Sequence, residues 1–561
     1  MNNVMNTIEK NILISIRKSL EKARELGEID FDQIPDFILE VPREKDHGDF
    51  ATNIAMQLTK QARKNPRLIA QTIVDHLDTQ KTFIEKVEIA GPGFINFRLN
   101  NSWLYDVLKD INLKKESYGS VDLGQGKRIN LEFVSANPTG PMHMGNGRGG
   151  ALGDSLASIL QMAGYQVTKE FYINDAGNQI DKFGQSLEAR YLQLHGKDGN
   201  IPEGGYEGED ISQHARDFIE IHGDSYLNVD ADTRRKVLID YALEKNINQL
   251  KMDLGDYGIN FDVWFPEHQL HGPILDQTIK LLKEKGNTYE KDGALWFRAS
   301  KFGAEKDEVL IRNNGFPTYF AVDIAYHINK LKTRNFDVAI NIWGADHHGH
   351  VARLKGAMDA VGIDSSRLEV IIMQLVRLFR NGEIARMSKR KGKAITLSDL
   401  VEEVGKDAAR FFFNIRSSDS HLDFDLDLAL KQSNENPVFY VQYAHARICS
   451  IIRQMEEEGI SAEDINQADP TLLKEDQELD LMHKLAELPG EIEIAARNLE
   501  PSRITRYVLE LASLLHSFYN ACRVKVDDRE LMKARLLLIS STRQVIYNVL
   551  KILGISAPEK M

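Results

Sequence analysis

The residues best placed to do chemistry lie in the stretch Ser135-Ala-Asn-Pro-Thr-Gly-Pro-Met-His-Met-Gly-Asn146, between an apolar strand pattern and the small-residue run Gly149-Gly-Ala-Leu-Gly-Asp-Ser-Leu-Ala-Ser-Ile-Leu160. A strand that ends in a Pro- and Gly-rich loop and continues into a helix offers a phosphate the unpaired N–H groups and positive dipole of the helix N-terminus. Glycine there lets the backbone come close to the anion. His143 and Gly145 fall where a triphosphate would lie. Further along, Asn341-Ile-Trp-Gly-Ala-Asp-His-His-Gly-His350 ends a strand pattern with Gly344 and an acid, Asp346, a position suited to ribose hydroxyls at the carboxyl edge of a sheet. His347, His348 and His350 could instead suggest a metal, since imidazole is a common ligand. In Phe316-Pro-Thr-Tyr319-Phe-Ala-Val-Asp323, Tyr319 and Asp323 are four apart and would share one helix face. From Arg377 to Lys393 there are seven basic residues against the single acid Glu383.

Taken singly, these features also fit blander roles: a turn around a core histidine, a solvated basic loop, a helix-surface pair. Their order along the chain favours the chemical reading, because it resembles that of class I aminoacyl-tRNA synthetases. Residues 135–146 resemble the ATP-binding loop of that class, matching its His-X-Gly-His signature at His143 and Gly145. The embedded Ala-Asn-Pro-Thr-Gly is similar to the form found in the arginyl-tRNA synthetase family, which the chain resembles over essentially its whole length. Asn146 stands where the signature has its second histidine. It keeps an N–H donor but cannot become positive. Hydrogen bonds to charged groups contribute about 1.5–3 kcal/mol, so activity with some loss of charge stabilisation is expected. Arg386-Met-Ser-Lys-Arg-Lys-Gly392 resembles the mobile Lys-Met-Ser-Lys-Ser loop of the class, with Arg386 at the first lysine position and Lys389 at the second. A flexible ammonium there can follow charge onto leaving pyrophosphate.

The resemblance implies a set of site residues. His143, Asn146 and Lys389 would be catalytic. Pro138, Gly145, Gly344, Asp346, Met387 and Ser388 would join them in holding ATP. A guanidinium is a planar cation with five donors, so its pocket needs carboxylates and aromatic or hydroxyl groups set as a fork. Asp323 would take it with Tyr319 beside it, and Glu267 in Phe261-Asp-Val-Trp-Phe-Pro-Glu267 would add a second carboxylate. Glu132, Ser135 and Asn137 correspond to positions around the α-amino end, and His143 and His347 also border the amino acid. Asp407-Ala-Ala-Arg410 resembles the Asp-Ala-Leu-Arg motif that opens a helical anticodon-binding domain. Asn53, Arg410 and the terminal Met561 would meet tRNA. Implied with them are L-arginine, tRNA(Arg) and ATP with Mg²⁺, no structural zinc or other protein-bound metal, no membrane, and a cytoplasmic monomer. A requirement for tRNA in the first step is also implied. Rival readings are another class I synthetase, a small-molecule adenylating ligase and a non-catalytic RNA-binding paralogue.

Elements must position these residues. With 561 residues, 42% hydrophobic, one core would be too large, so three or four domains are expected. Two cysteines, Cys449 and Cys522, are too few for a disulfide framework or a Cys-rich zinc site. The N-terminus alternates apolar and charged residues and lacks a signal-peptide core, which points to the cytoplasm. A net charge of −13 argues against a polyanion partner, yet residues 501–561 carry 10 basic and 5 acidic side chains, so a basic surface is available at the C-terminus.

Patterning divides the chain into a small α+β segment, 1–112, a middle, 113–404, and a helical part, 405–561. In the first, Val87, Ile89, Phe94, Ile95 and Phe97 surround Gly-Pro-Gly turn chemistry. The middle opens with Ile129, Leu131 and Phe133 alternating with Asn130, Glu132 and Val134, then runs loop, helix, strand, the start of a doubly wound sheet. Residues 178–300 read as an insertion. Apolar spacing of three and four dominates the last part. With the resemblance, the fold class is α/β: a Rossmann-like parallel-sheet class I synthetase catalytic domain, an N-terminal α+β additional domain, and a C-terminal all-helical anticodon-binding bundle.

Overall fold

Helix α1 (Val4–Glu25) forms because Ile8, Ile12, Ile16 and Leu20 recur every fourth residue and make one buried stripe. It packs on α2 (Pro66–Asp75), whose first turn is capped by the Asn65 side chain. Beside them, β1 (Phe50–Thr52), β2 (Ile84–Ala90) and β3 (Phe94–Leu99) form an antiparallel sheet in the order β1-β3-β2. This computed structural model describes residues 4–42, 44–80, 82–385 and 395–561, so Arg386, Met387, Ser388 and Lys389 lie outside the described residues. Helix α3 (Ser102–Lys114) then leaves the N-terminal sheet with Trp103, Leu104, Val107, Leu108 and Ile111 buried.

The central sheet is parallel throughout. It comprises β4 (Arg128–Glu132), β5 (Gln166–Ile173), β6 (Val263–Pro266), β10 (Val338–Gly344) and β11 (Leu368–Met373), in the order β11-β10-β4-β5-β6. The chain moves outward from β4 through β5 to β6, then returns to place β10 and β11 on the other side of β4. Strand order therefore reverses between β4 and β10, and ligands of such sheets bind in the crevice at the carboxyl ends of that pair. Helix α4 (Met144–Met162) follows the signature loop, with fourteen of its nineteen residues buried. Alternation foretold β4, but both faces of a parallel sheet are covered, and polar Asn130 and Glu132 are buried as well as Ile129 and Leu131.

The stretch 178–300 is not one insertion. Helices α5 (Asn178–Leu194), α6 (Glu209–His222) and α7 (Ala231–Asp256) build their own small core around Phe183, Tyr191, Phe218 and Leu238, but β6 then returns to the central sheet. A second excursion carries β7 (Thr288–Lys291), β8 (Ala294–Phe297) and β9 (Glu308–Ile311), an antiparallel sheet. Helix α8 (Tyr319–Ile328) follows, and α9 (His348–Val361) joins β10 to β11.

After β12 (Val376–Arg380) and β13 (Glu383–Ile384) come α10 (Leu397–Val404), started by a Thr396/Asp399 capping box, and α11 (Lys406–Asn414). The purely helical part begins later than residue 405. β14 (Leu422–Asp425) pairs parallel with β12, and α11 packs on α4. Helices α12 (Pro437–Glu457), α13 (Asp476–Asn498), α14 (Ser502–Ala521) and α15 (Arg529–Ile552) complete the bundle, and α3 packs against α13 and α15 as a further member. No described helix is long and apolar enough to cross a membrane.

Candidate active site

At the end of β4 the backbone turns sharply. Val134 (φ 67°) and Ser135 (φ 41°) adopt left-handed conformations without being glycine. Such residues cost on the order of 1–3 kcal/mol each and persist only where the surroundings hold them. Here the Ser135 hydroxyl donates to Glu132 Oε1 (3.0 Å) and its Oγ accepts from the Tyr172 N–H (3.1 Å). Pro138 is buried, and its carbonyl accepts from Asn246 Nδ2 of α7 at 2.8 Å. His143 is the N-cap of α4: its Nδ1 accepts from the Gly145 N–H (3.1 Å), which leaves the proton of a neutral ring on Nε2. Asn146 is half-buried in the first turn, beside the helix N–H groups.

Residues just beyond the basic loop are tied to this turn. The Met144 N–H donates to Ile395 O (3.3 Å) and the Leu397 N–H to Met142 O (3.0 Å), so backbone pairing flanks His143 on both sides. Gly344 ends β10, next to β4, and Asp346 stands exposed after it, its carboxylate 3.5 Å from His347 Nε2. The signature loop and Asp346 thus flank the point where strand order reverses.

Beside that crevice three carboxylates converge on one phenol. Burial pushes the Tyr172 hydroxyl far above the ordinary tyrosine range, and the charges of Glu267, Asp323 and Glu132 add to it. Glu267, buried at the end of β6, accepts from the Tyr172 hydroxyl and lies 3.3 Å from His271 Nε2. Burial raises its carboxyl, and nearby Asp323 raises it further. Asp323 sits one turn into α8, its Oδ2 bonded to His350 Nε2 at 2.8 Å. Tyr319 opens the same helix, its ring beside Gly177, where an added Cβ would lie 3.4 Å from the hydroxyl. Asn137 is exposed at the mouth and donates to Gln179 Oε1 (2.8 Å). Glu132, Ser135, Glu267 and Asp323 are thereby brought into one neighbourhood, with Tyr319 close to Glu267.

Tyr172, Gln179, His271 and Asn246 were missed by reading the sequence. Only Tyr172 carried a signal, its place one residue from the carboxyl end of a strand pattern. His347 and His348 are exposed, whereas His350 turns inward to Asp323. Asn53 and Met561 lie far along the chain from the pocket, Asn53 accepting from Gln57 Nε2 and Met561 exposed. The expectation for Arg410 is corrected. Its side chain is fully buried, donating to Leu553 O (2.7 Å), Tyr257 O (3.3 Å) and Asp154 Oδ2 (2.6 Å), so it joins helices inside the protein and presents nothing to RNA.

The chain matches three family descriptions in order: arginyl tRNA synthetase N terminal domain over residues 10–99, tRNA synthetases class I (R), catalytic domain over 107–421, and DALR anticodon binding domain over 441–561. It is 59% identical over 564 residues to the arginine–tRNA ligase of Acetivibrio thermocellus and 60% identical over 563 residues to that of Caldanaerobacter subterraneus subsp. tengcongensis, each match covering 100% of both chains. Its fold is shared with the arginyl-tRNA synthetase of Thermus thermophilus, at a TM-score of 0.73 and 22% identity, covering 99% of this chain and 100% of that one.

Proposed function

Because the chain belongs to the arginyl-tRNA synthetase family, we propose a specific division of labour among its residues for the reaction of that family. The chain is an aminoacyl-tRNA ligase that activates L-arginine with ATP to arginyl-adenylate and pyrophosphate, then transfers arginine to the 3′ end of tRNA(Arg). In the first step the arginine carboxylate attacks the α-phosphate, and negative charge spreads over phosphate oxygens. Donors already aimed at those oxygens lower the barrier most.

The Asn146 side-chain amide and His143 Nε2–H supply such donors, with the positive end of the α4 dipole behind them, while Gly145, whose N–H is given to His143 Nδ1, leaves room for the phosphate to approach. Lys389, with Met387 and Ser388 beside it, follows the charge onto pyrophosphate. Gly344 leaves room for the ribose and Asp346 accepts from its hydroxyls; Pro138 shapes the near wall. Asp323 and Glu267 take the guanidinium, with Tyr319 packed beside it, while Ser135 and Asn137 order the α-amino end, Glu132 acting only through the Ser135 hydroxyl that donates to it, and His347 closes the edge. Mg²⁺ enters with ATP as part of the substrate. Asn53 and Met561 lie on the tRNA-facing side of a cytoplasmic monomer.

The convergence of Glu267 and Asp323 on Tyr172 beside the phosphate loop supports this reading best: paired carboxylates in one pocket select a cation. Pyrophosphate exchange with each amino acid, run with and without tRNA, tests it. Asp323→Asn is expected to abolish arginine-dependent exchange while ATP binding stays near normal. Equal activation of arginine by variant and parent would rule the assignment out.

A further inference from the structure

Behind the carboxylate pocket lies a lysine with no exposed surface. Lys330 follows α8 in a single π-turn, and its side chain is fully buried. Its ammonium donates to Glu132 Oε2 at 2.5 Å and Asn341 Oδ1 at 3.1 Å, with the Tyr326 ring 4.1 Å away. Burying an ammonium is costly unless it is paired and hydrogen-bonded, so this arrangement calls for a role.

The bonds continue in both directions, and their senses are forced. An ammonium can only donate, so Asn341 shows it the carbonyl oxygen and turns its amide nitrogen to His327 Nε2 (2.7 Å). His327 then donates from Nδ1 to the Asp323 carbonyl (2.7 Å), which can only accept. The ring is neutral, its pKa pushed down to about 3 by burial and by Lys330. On the other side, Glu132 Oε1 accepts from Ser135, and Ser135 accepts from the Tyr172 N–H. One directed path thus connects the left-handed turn at Val134 and Ser135 to the helix that carries Asp323, crossing β4 and β10.

We propose that Lys330 is a positioning residue for arginine activation: held between Glu132 and Asn341, it fixes the head of the phosphate loop and the Asp323 helix in one frame. This rests on the assignment of the arginine pocket above. It also recasts Glu132, both of whose oxygens are held by protein groups, as a buttress whose charge serves Lys330. A buried ion pair is weakened far more by losing one partner than by losing both.

Pyrophosphate exchange with purified full-length variants tests this. Lys330→Met is expected to raise the arginine KM about tenfold or more while the ATP KM stays within about threefold. The double variant Lys330→Met with Glu132→Gln, which leaves no uncompensated charge, is expected to recover an arginine KM below that of Lys330→Met. An unchanged arginine KM in Lys330→Met, a parallel rise in both KM values, or a double variant no better than the single one would overturn the proposal. Should Lys330→Met not fold, Asn341→Leu decides. It keeps the ion pair and cuts only the path to α8, so a selective rise of about threefold or more in arginine KM supports the role and an unchanged value removes it. Asp323→Asn assayed in parallel keeps the two claims apart: a parent-like value there sinks the pocket assignment, whereas the Lys330 comparisons stand on their own ratios.

Discussion

Asn146 occupies the position at which this chain departs from the class signature, half-buried in the first turn of α4. Its amide can still donate to a phosphate oxygen, and that bond is the part of the signature histidine's work that survives. Asn146→Ala is expected to lower the rate of arginine-dependent exchange by about 10–100-fold, the equivalent of one hydrogen bond to a charged group, with little change in arginine KM. A variant with the parent's rate would remove Asn146 from the mechanism. At this scale contiguous motifs made the local setting readable: His143 lies where the loop enters α4, and Asp323 lies one turn from Tyr319 on α8. The sequence showed no more of Tyr172 than a place near a strand end and was silent on Lys330 and His327, because their meaning comes from partners that are distant in the chain, such as Glu267 for Tyr172 and Glu132 for Lys330.

Among the elements, α4 best illustrates how composition is read as packing. Its run of small residues lets the helix lie directly on the central sheet: a Cβ at Gly153 would sit 2.3 Å from the Phe133 ring. Gly153→Ala is therefore expected to destabilise the fold by about 1–3 kcal/mol through overpacking, seen as a lower thermal midpoint. Gly490, in the exposed middle of α13, has nothing within 4 Å of an added Cβ and no left-handed φ. Gly490→Ala is expected to raise stability by about 0.4–1 kcal/mol, because the substitution removes freedom from the unfolded chain. Equal melting behaviour of the two variants would show that contact with Phe133 does not set the spacing of α4. The elements themselves were largely foreseeable from periodicity. Their membership was not: β6 belongs to the parallel sheet although it lies inside the stretch read as an insertion, and α3 belongs to the bundle although it follows the N-terminal sheet.

For the whole molecule, Arg410 is where the parts meet. It ties α11 to the end of α15 through Leu553 O, to α7 through Tyr257 O, and to α4 through Asp154, and Gly554 makes room for the guanidinium at a distance no Cβ allows. Arg410→Met leaves Asp154 with Lys169 as its remaining ion-pair partner among the described residues and takes a donor from the Leu553 and Tyr257 carbonyls. A loss of about 3 kcal/mol or more is expected, read as earlier unfolding of the helical bundle by limited proteolysis. Parent-like resistance would show that this junction does not hold the domains together. Removal of residues 1–100, which spares α3, is expected to weaken tRNA charging more than ATP binding. Filter binding that finds tRNA affinity unchanged would contradict a tRNA-facing role for the N-terminal sheet.

By itself the sequence determined the class of nucleotide-binding loop, the parallel character of the middle, the helical character of the end, and the carboxylate, aromatic and histidine groups from which a pocket for a cation could be made. These are local properties, written in spacing, turn residues and the order of motifs. Only the tertiary structure decided that Arg410 faces inward, that Glu132 is paired with a buried lysine, and that a strained turn after β4 is held by groups from β5, β10 and α8. Burial and pairing depend on residues separated by hundreds of positions, and periodicity cannot say which polar groups folding will desolvate together.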